Sequence, residues 1–409
     1  MTKTIREALF NKRMVVCLLT GFSSGLPLYV IYQLIPAWLR SEGVSLKTIG
    51  LFSIASLPYT WKFLWSPLMD RYVPPFGGRR RGWGIITQIL LFAGLLCFSF
   101  LSPAESVLNI AFLVFIIAFF SASQDIVLDA YRRELLPDDE LGLGNSLFIN
   151  AYRFSSLVPG SLALILADHI SWASVHAIVA LFMGIGILGV LIAPPVDSEI
   201  SHPLTLADAV IEPFKEFFRR NGVKSALLVI AFMFLYKLGD SMATALSTPF
   251  YLDLGFSKTE IGSIAKIAGL WSSVFGGFVG GLLMVKIGIN RALWIFGVVQ
   301  VVSILGFVYL ALVGHDPYVL FAVVSFEYLG VGLGTAAFVA FIAKSTDKRF
   351  TATQFALLSS ITGIPRTFAN ATTGYLIEAM GYPLFFLFCS VIALPGMFLL
   401  LKVAPWSGE

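Results

Sequence analysis

Charge is what this sequence has least of: Asp, Glu, Lys and Arg make up 13% of its 409 residues, about half of the ~25% usual in a soluble domain. That shortage excludes an ordinary water-soluble enzyme and leaves no basic surface for nucleic acid. Cysteine is scarce too. Cys17, Cys97 and Cys389 each stand alone inside an apolar run, which excludes a disulfide framework and a thiolate metal centre; they read as small packing residues. The four histidines have no metal-ligand spacing. There is no glycine loop shaped to cradle phosphate and no nucleophile–His–carboxylate set, so neither a cofactor nor enzymatic chemistry is expected. No soluble domain of useful size is present either, which argues against a membrane sensor or scaffold.

What the chain has is apolar length. Hydrophobic residues make up 57%, with 37 Phe among them. A helix needs about 20 apolar residues to cross the hydrocarbon layer. Twelve such runs can be counted: 14–38, 46–68, 83–101, 106–129, 143–167, 172–193, 224–250, 260–285, 291–313, 317–343, 351–378 and 382–402. Short turn or charge signals such as Gly77-Gly78-Arg79 separate them. The one long break, 194–223, opens with Pro194-Pro195 and carries a polar stretch with an apolar stripe around Phe214, Phe217 and Phe218. It is predicted to be a linker with an amphipathic helix lying on the membrane surface. The expected architecture is an all-α membrane protein of the major facilitator kind: twelve transmembrane helices in two six-helix bundles, 1–194 and 224–409, joined by the linker 195–223.

Lysine and arginine placement orients the spans. With a cytoplasmic N-terminus, twenty of the 28 fall in cytoplasmic segments, and only Arg40, Lys47 and Lys258 fall on the other side. That is a strong positive-inside bias, and it predicts a multi-pass protein of the bacterial inner membrane with both termini cytoplasmic. Met1–Arg13 is charged and lacks a small-residue cleavage site, so it is expected to be a retained tail. The two halves also echo each other. Gly43-Val-Ser-Leu-Lys-Thr-Ile-Gly50 opens the second span, and Gly255-Phe-Ser-Lys-Thr-Glu-Ile-Gly262 opens the eighth, 212 residues later. Arg153 with Gly160 in the fifth span corresponds to Arg366 with Gly374 in the eleventh. Such a parallel duplication places a solute site between the halves near the bilayer midplane.

Charge inside a bilayer is costly and normally faces a cavity or a partner. Here the buried candidates are Lys62, Asp125, Asp129, Arg153, Lys237, Asp240, Lys266, Glu327 and Arg366. Both signs occur in both halves, as a cavity for a large polar solute requires, and the carboxylates could gain and lose a proton as water access alternates. Asp70 and Asp129 differ from the rest. They lie near the cytoplasmic ends of their spans and are followed by arginines, so Asp70, Arg71, Asp129 and Arg132 are expected to form a cytoplasmic gate. Tyr59, Lys62 and Trp65 recur at spacing three, which predicts one face carrying a phenol, an amine and an indole. Gly21 and Gly25, with Pro27 and Pro36, should thin and kink the first helix and allow close packing.

Five strings resemble the AmpG family of muropeptide permeases: Gly21-Phe-Ser-Ser-Gly-Leu-Pro-Leu28, Ile49-Gly-Leu-Phe52, Leu57-Pro-Tyr-Thr-Trp-Lys-Phe-Leu-Trp-Ser-Pro-Leu-Met-Asp-Arg71, Gly78-Arg-Arg-Arg-Gly-Trp83 and Ser123-Gln-Asp-Ile-Val-Leu-Asp-Ala-Tyr-Arg132. They span the first five helices in order; the second half resembles the family mainly in architecture. The resemblance implies proton-coupled import of anhydro-muropeptides, N-acetylglucosamine-anhydro-N-acetylmuramic acid with or without a stem peptide, from periplasm to cytoplasm. That is cell-wall recycling, which in many Gram-negative bacteria also informs β-lactamase induction and hence β-lactam resistance. For such a solute, Lys62, Arg153 and Arg366 are expected to meet carboxylates, and Tyr59, Gln124 and Asn150 the acetamides. Asp125 is the first expected proton carrier, beside Arg153 on the neighbouring helix, followed by Glu327 and Asp240. A monomer is the usual expectation for the fold. Two alternatives share that fold: a permease for another large polar solute such as an acyl-CoA, and a PucC-like protein of pigment assembly.

Overall fold

The computed structural model describes residues 11–66, 69, 72–196, 212–345 and 351–406. Among them every one of the twelve predicted spans coincides with a helix or with a helix in pieces. They are α1 (Lys12–Ser41), α2 (46–64), α3 (Gly78–Phe100), α4 (Val107–Leu135), α5 (138–166) and α6 (Trp172–Ile192), then the linker helix α7 (Glu212–Asn221). After it come α8 (Val223–Asp253), α9 (258–287), α10 (289–313), α11 (Pro317–Ser345), α12 (351–380) and α13 (382–403). Gly288 and Gly381, both at positive φ, separate α9 from α10 and α12 from α13. Nine stretches among the described residues are long and apolar enough to cross a bilayer.

Serines start several of these helices. Ser45, Ser106, Ser171 and Ser257 each accept a backbone N–H from three residues on, as an N-cap does. Two of these caps carry the internal repeat into structure. Gly43 and Gly255 both adopt the left-handed conformation (φ 81° and 88°), and the serine two residues after each caps the following helix. Any side chain at either glycine would be strained there.

The interruptions in α1 and α2 bear on the site. In α1, Pro27 and Pro36 bracket a π-helical turn, Val30–Leu34, closed by Ile35 N–H donating to the Val30 carbonyl. In α2, Pro58 stands in a short α segment, Leu57–Trp61, flanked by 3₁₀ turns at Phe52–Ser56 and Lys62–Leu64. π turns and short 3₁₀ stretches inside long helices frequently mark functional positions, and the charged and phenolic residues described below sit on both.

The chain divides into two compact units, Met1–Glu42 with Ala55–Pro203, and Gly43–Ile54 with Leu204–Glu409. In the first, α1 is the axis. Gly21 and Gly25 face the backbone carbonyls of Phe148 and Tyr152 on α5, with no room for a methyl group at either. Gly186 and Gly189 of α6 approach Ser23 and Leu19 of α1 in the same way. Small residues let helices touch backbone to backbone, which is how membrane helices associate without a hydrophobic driving force. Gly25→Val is therefore expected to cost about 2 kcal/mol or more, read as a lower melting temperature of the purified protein in detergent.

In the second unit the core is aromatic. Phe232, Tyr236, Phe296, Phe338 and Phe341 pack with Met397 and with Phe217 from the linker helix. Phe217 is 2% exposed, and Arg220 of the same helix donates to the Ser345 carbonyl at 2.7 Å. Phe217 and Phe218 of α7 thus pack on the core of the second unit. The first turns of α2 also belong to this unit, where Lys47 pairs with Glu378 at 2.9 Å and Gly374 admits the Leu46 carbonyl.

Candidate functional site

In the first unit, polar groups converge on Asp125 of α4. The Ser24 hydroxyl of α1 donates to Asp125 Oδ1 at 2.5 Å. The charges acting on this carboxylate are Lys62 first, then Asp129 and Arg132. Lys62 stands on the 3₁₀ turn of α2, so the cation that answers Asp125 is Lys62 and not, as expected, Arg153. Around the carboxylate lie tyrosines. Asp125, Tyr29, Tyr59 and Tyr32 all act on Tyr152, and the Tyr29 and Tyr152 rings meet edge to face at 5.7 Å. The Tyr59 hydroxyl is enclosed, faces Ser121 and Asp125, and makes no hydrogen bond of good geometry.

Gln124 lies one residue away but has a different environment. Its side chain is fully buried, and Nε2 donates to the Ser23 carbonyl at 3.0 Å, while Gln88 Nε2 donates to the Ser23 hydroxyl at 2.8 Å. These two amides tie α3 and α4 to α1. Gln124 is spatially next to the cluster and its donor is engaged inside the bundle. Asn150 donates to the carbonyl of Ser146 on its own helix.

A cavity of about 350 Å³ adjoins the cluster, lined by Tyr29, Tyr152, Phe148, Asp129, Arg132 and Arg153. Arg132 pairs with Asp129 at 3.0 Å and lies over the Phe148 ring at 3.9 Å. Two residues expected in the gate thus share a cavity wall with one expected to bind solute. Asp70 and Arg71, the other two, lie outside the described residues. Trp65 parts from Tyr59 and Lys62. It bounds a second, apolar cavity of about 360 Å³ with Tyr72, Trp83 and Phe119, and its indole donates to the Ser123 hydroxyl at 2.9 Å. The predicted phenol–amine–indole face is divided: Tyr59 looks to Ser121 and Asp125, and Trp65 to the apolar cavity.

In the second unit Lys237 Nζ pairs with Asp240 Oδ2 at 2.9 Å, both nearly enclosed. The charged groups acting on Glu327 of α11 are this same pair, and Ser303 of α10 lies beside it. Asp240 Oδ1 and Glu327 Oε2 are both enclosed without a donor. Sequence reasoning named all three residues; the structure joins them into one triad. Lys266 instead donates to the Thr248 hydroxyl at 2.6 Å, Asn370 bonds Ser241 at 3.0 Å, and Arg366 lies half-buried on α12.

Ser24, Tyr29, Tyr32 and Tyr152 were not singled out from the sequence. Tyrosines mid-span, away from the membrane interfaces where such residues gather, were the signal available for them.

Comparison with known proteins follows the same lines. The profile of the Major Facilitator Superfamily matches residues 17–369. The chain is 42% identical over 391 residues to the anhydromuropeptide permease of Escherichia coli K12, covering 95% of this chain and 79% of that protein. It is 32% identical to a Rickettsia felis transporter named AmpG 4, covering 95% of this chain and 96% of that one. Among solved structures, the nucleoside transporter NupG superposes with a TM-score of 0.75 at 14% identity, covering 98% of this chain and all of that one; that likeness speaks for the fold alone.

Proposed function

The chain belongs to the AmpG family of the major facilitator superfamily, and from that premise we propose that it imports anhydro-muropeptides across the bacterial inner membrane, driven by protons. One observation carries the substrate: 42% identity across 95% of the chain to a protein named as an anhydromuropeptide permease. The chemistry of the site agrees with it. Such a solute has sugar rings, acetamides and a carboxylate. Tyrosine rings can stack on sugar faces, while Lys62, Arg132 and Arg153 supply cations for the carboxylate.

Proton coupling rests on a part-buried carboxylate in the first unit and two buried ones in the second. Asp125 is held by one hydroxyl and attracted by Lys62 without a direct ion pair, so its charge can change without breaking a close contact. Glu327 and Asp240 share Lys237, and a proton on Glu327 would supply the donor that their unpartnered oxygens want. We place both termini in the cytoplasm on the positive-inside bias, and take the monomer as the working unit, with substrate exposed alternately to the two sides.

The test is uptake of radiolabelled N-acetylglucosamine-anhydro-N-acetylmuramic acid into proteoliposomes, with an inward proton gradient and without one. Accumulation that depends on the gradient is the expected result. Uptake that ignores the gradient would remove the proton coupling. No uptake by folded protein would remove the substrate and bring forward another large polar solute such as an acyl-CoA.

A further inference from the structure

We infer that Arg132 and Arg153 form a carboxylate clamp in the 350 Å³ cavity of the first unit, and that Asp129 holds Arg132 there as an internal substitute for the carboxylate of the solute. The inference rests on the muropeptide reading and assigns the part of the solute that this cavity takes.

Four observations lead to it. The two guanidinium groups, from α4 and α5, line one cavity. The Arg153 guanidinium makes no ion pair or hydrogen bond among the described residues and has only the Tyr29 phenol within its electrostatic reach, although charge inside a helix bundle normally has a partner. Arg132 is held on both sides, stacked over Phe148 at 3.9 Å and paired with Asp129 at 3.0 Å, yet its Nη1 is enclosed without a hydrogen-bond partner. Asp129 itself is about half exposed, 51% against 18% for Arg132, so it can be displaced into water at little cost.

The Asp129–Arg132 pair lies within α4. Their bond joins residues three apart on one helix, which adds only a few tenths of a kcal/mol to that helix. What it does accomplish is to hold Arg132 beside the cavity and neutralise it while no solute is bound. An incoming carboxylate would meet Arg153 first, because it is unpaired, and would then compete with Asp129 for Arg132. Guanidinium groups suit this exchange, since each presents a planar fork of donors to a carboxylate. The Tyr29–Tyr152 pair bounds the same cavity, so the carboxylate must be attached to a ring or chain that packs on tyrosine. The lactyl group of the anhydro-muramic ring meets that description when no stem peptide caps it.

The experiment is isothermal titration of the full chain in detergent with two probes: the anhydro-disaccharide as its free acid, and the same disaccharide with the lactyl carboxyl converted to a methylamide. The wild type is expected to bind the acid roughly tenfold tighter or more than the amide. Arg153→Gln is expected to abolish that preference, with Arg153→Lys retaining part of it. Because Arg153 has no partner to strand, neither variant should disturb folding, and a melting curve checks this. Asp129→Asn is expected to tighten the acid several-fold and leave the amide unchanged. Equal binding of acid and amide by the wild type would overturn the clamp and leave the muropeptide reading standing. So would a preference that survives in Arg153→Gln. An Asp129→Asn variant that binds the acid no more tightly would overturn the substitute role of Asp129. Binding of neither probe by folded wild type would overturn the clamp and the muropeptide reading together.

Discussion

Asp125→Asn is expected to abolish accumulation of solute against its gradient, by roughly a hundredfold or more relative to wild type, while exchange of labelled for unlabelled solute at equal pH continues. The two assays separate because the substitution changes charge and little else. Asparagine keeps an oxygen in the place of Oδ1, so the Ser24 hydroxyl, which donates at 2.5 Å in the native protein, still has its acceptor. Lys62 is the first cation acting on Asp125 but is joined to it by no direct ion pair, so the substitution breaks no close contact there. The site therefore keeps its shape and its cation. What it loses is the ability to exist in two protonation states, and coupling requires that the two states of the carrier bind a proton differently. A variant that exchanges solute but cannot concentrate it identifies Asp125 as the coupling group. A variant that still concentrates solute normally would assign the coupling to the triad of the second unit. Loss of both activities, with the melting temperature unchanged, would place Asp125 in solute binding instead.

How much of this was legible beforehand follows from what each feature depends on. The spans were legible because the bilayer imposes a length on every one of them, and the repeat at Gly43 and Gly255 because a left-handed turn restricts residue choice at both positions. The triad was half legible. Lys237 and Asp240 are three apart and so share a helix face, but nothing in one sequence says that Glu327, 87 residues further on, lies beside them. Pairing of Asp125 with Arg153 failed for a related reason. Neighbouring helices need not present their charges to one another: Lys62, on a 3₁₀ turn of α2, is the first cation acting on Asp125, and Trp65, just after that turn, lines the apolar cavity. Irregular turns of this kind depend on packing against α4, and periodicity carries no trace of them. Tyr29, Tyr32 and Tyr152 are not legible because in a chain with 13 tyrosines each is individually unexceptional; only their convergence with Tyr59 around Asp125 sets them apart.

Lys237→Met is expected to destabilise the protein by about 3–5 kcal/mol, the cost of leaving one member of a buried ion pair without the other. Its side chain is 8% exposed and that of Asp240 10%, and they meet at 2.9 Å. Without the ammonium, Asp240 keeps no cation within contact, and Glu327 adds a second carboxyl to the same space. A simple loss of packing cannot produce so large an effect, because Met is unbranched and of similar length and fills most of the volume the lysine stem occupied. The double variant Lys237→Met/Asp240→Leu separates the two causes. It removes both charges and leaves apolar groups of comparable bulk, so it should recover most of the stability lost in the single variant. A coupling of at least about 2 kcal/mol in the cycle is expected from a contact this close and this enclosed. The measurement is chemical denaturation in micelles, followed by tryptophan fluorescence. If the two losses simply added, the pair would be a solvated surface contact in the working protein and the triad would not hold a proton. If they couple as expected while the double variant folds but no longer accumulates solute, stability and transport are separated. The buried charges of the second unit would then be retained for coupling, at a cost in stability that the apolar replacement makes visible.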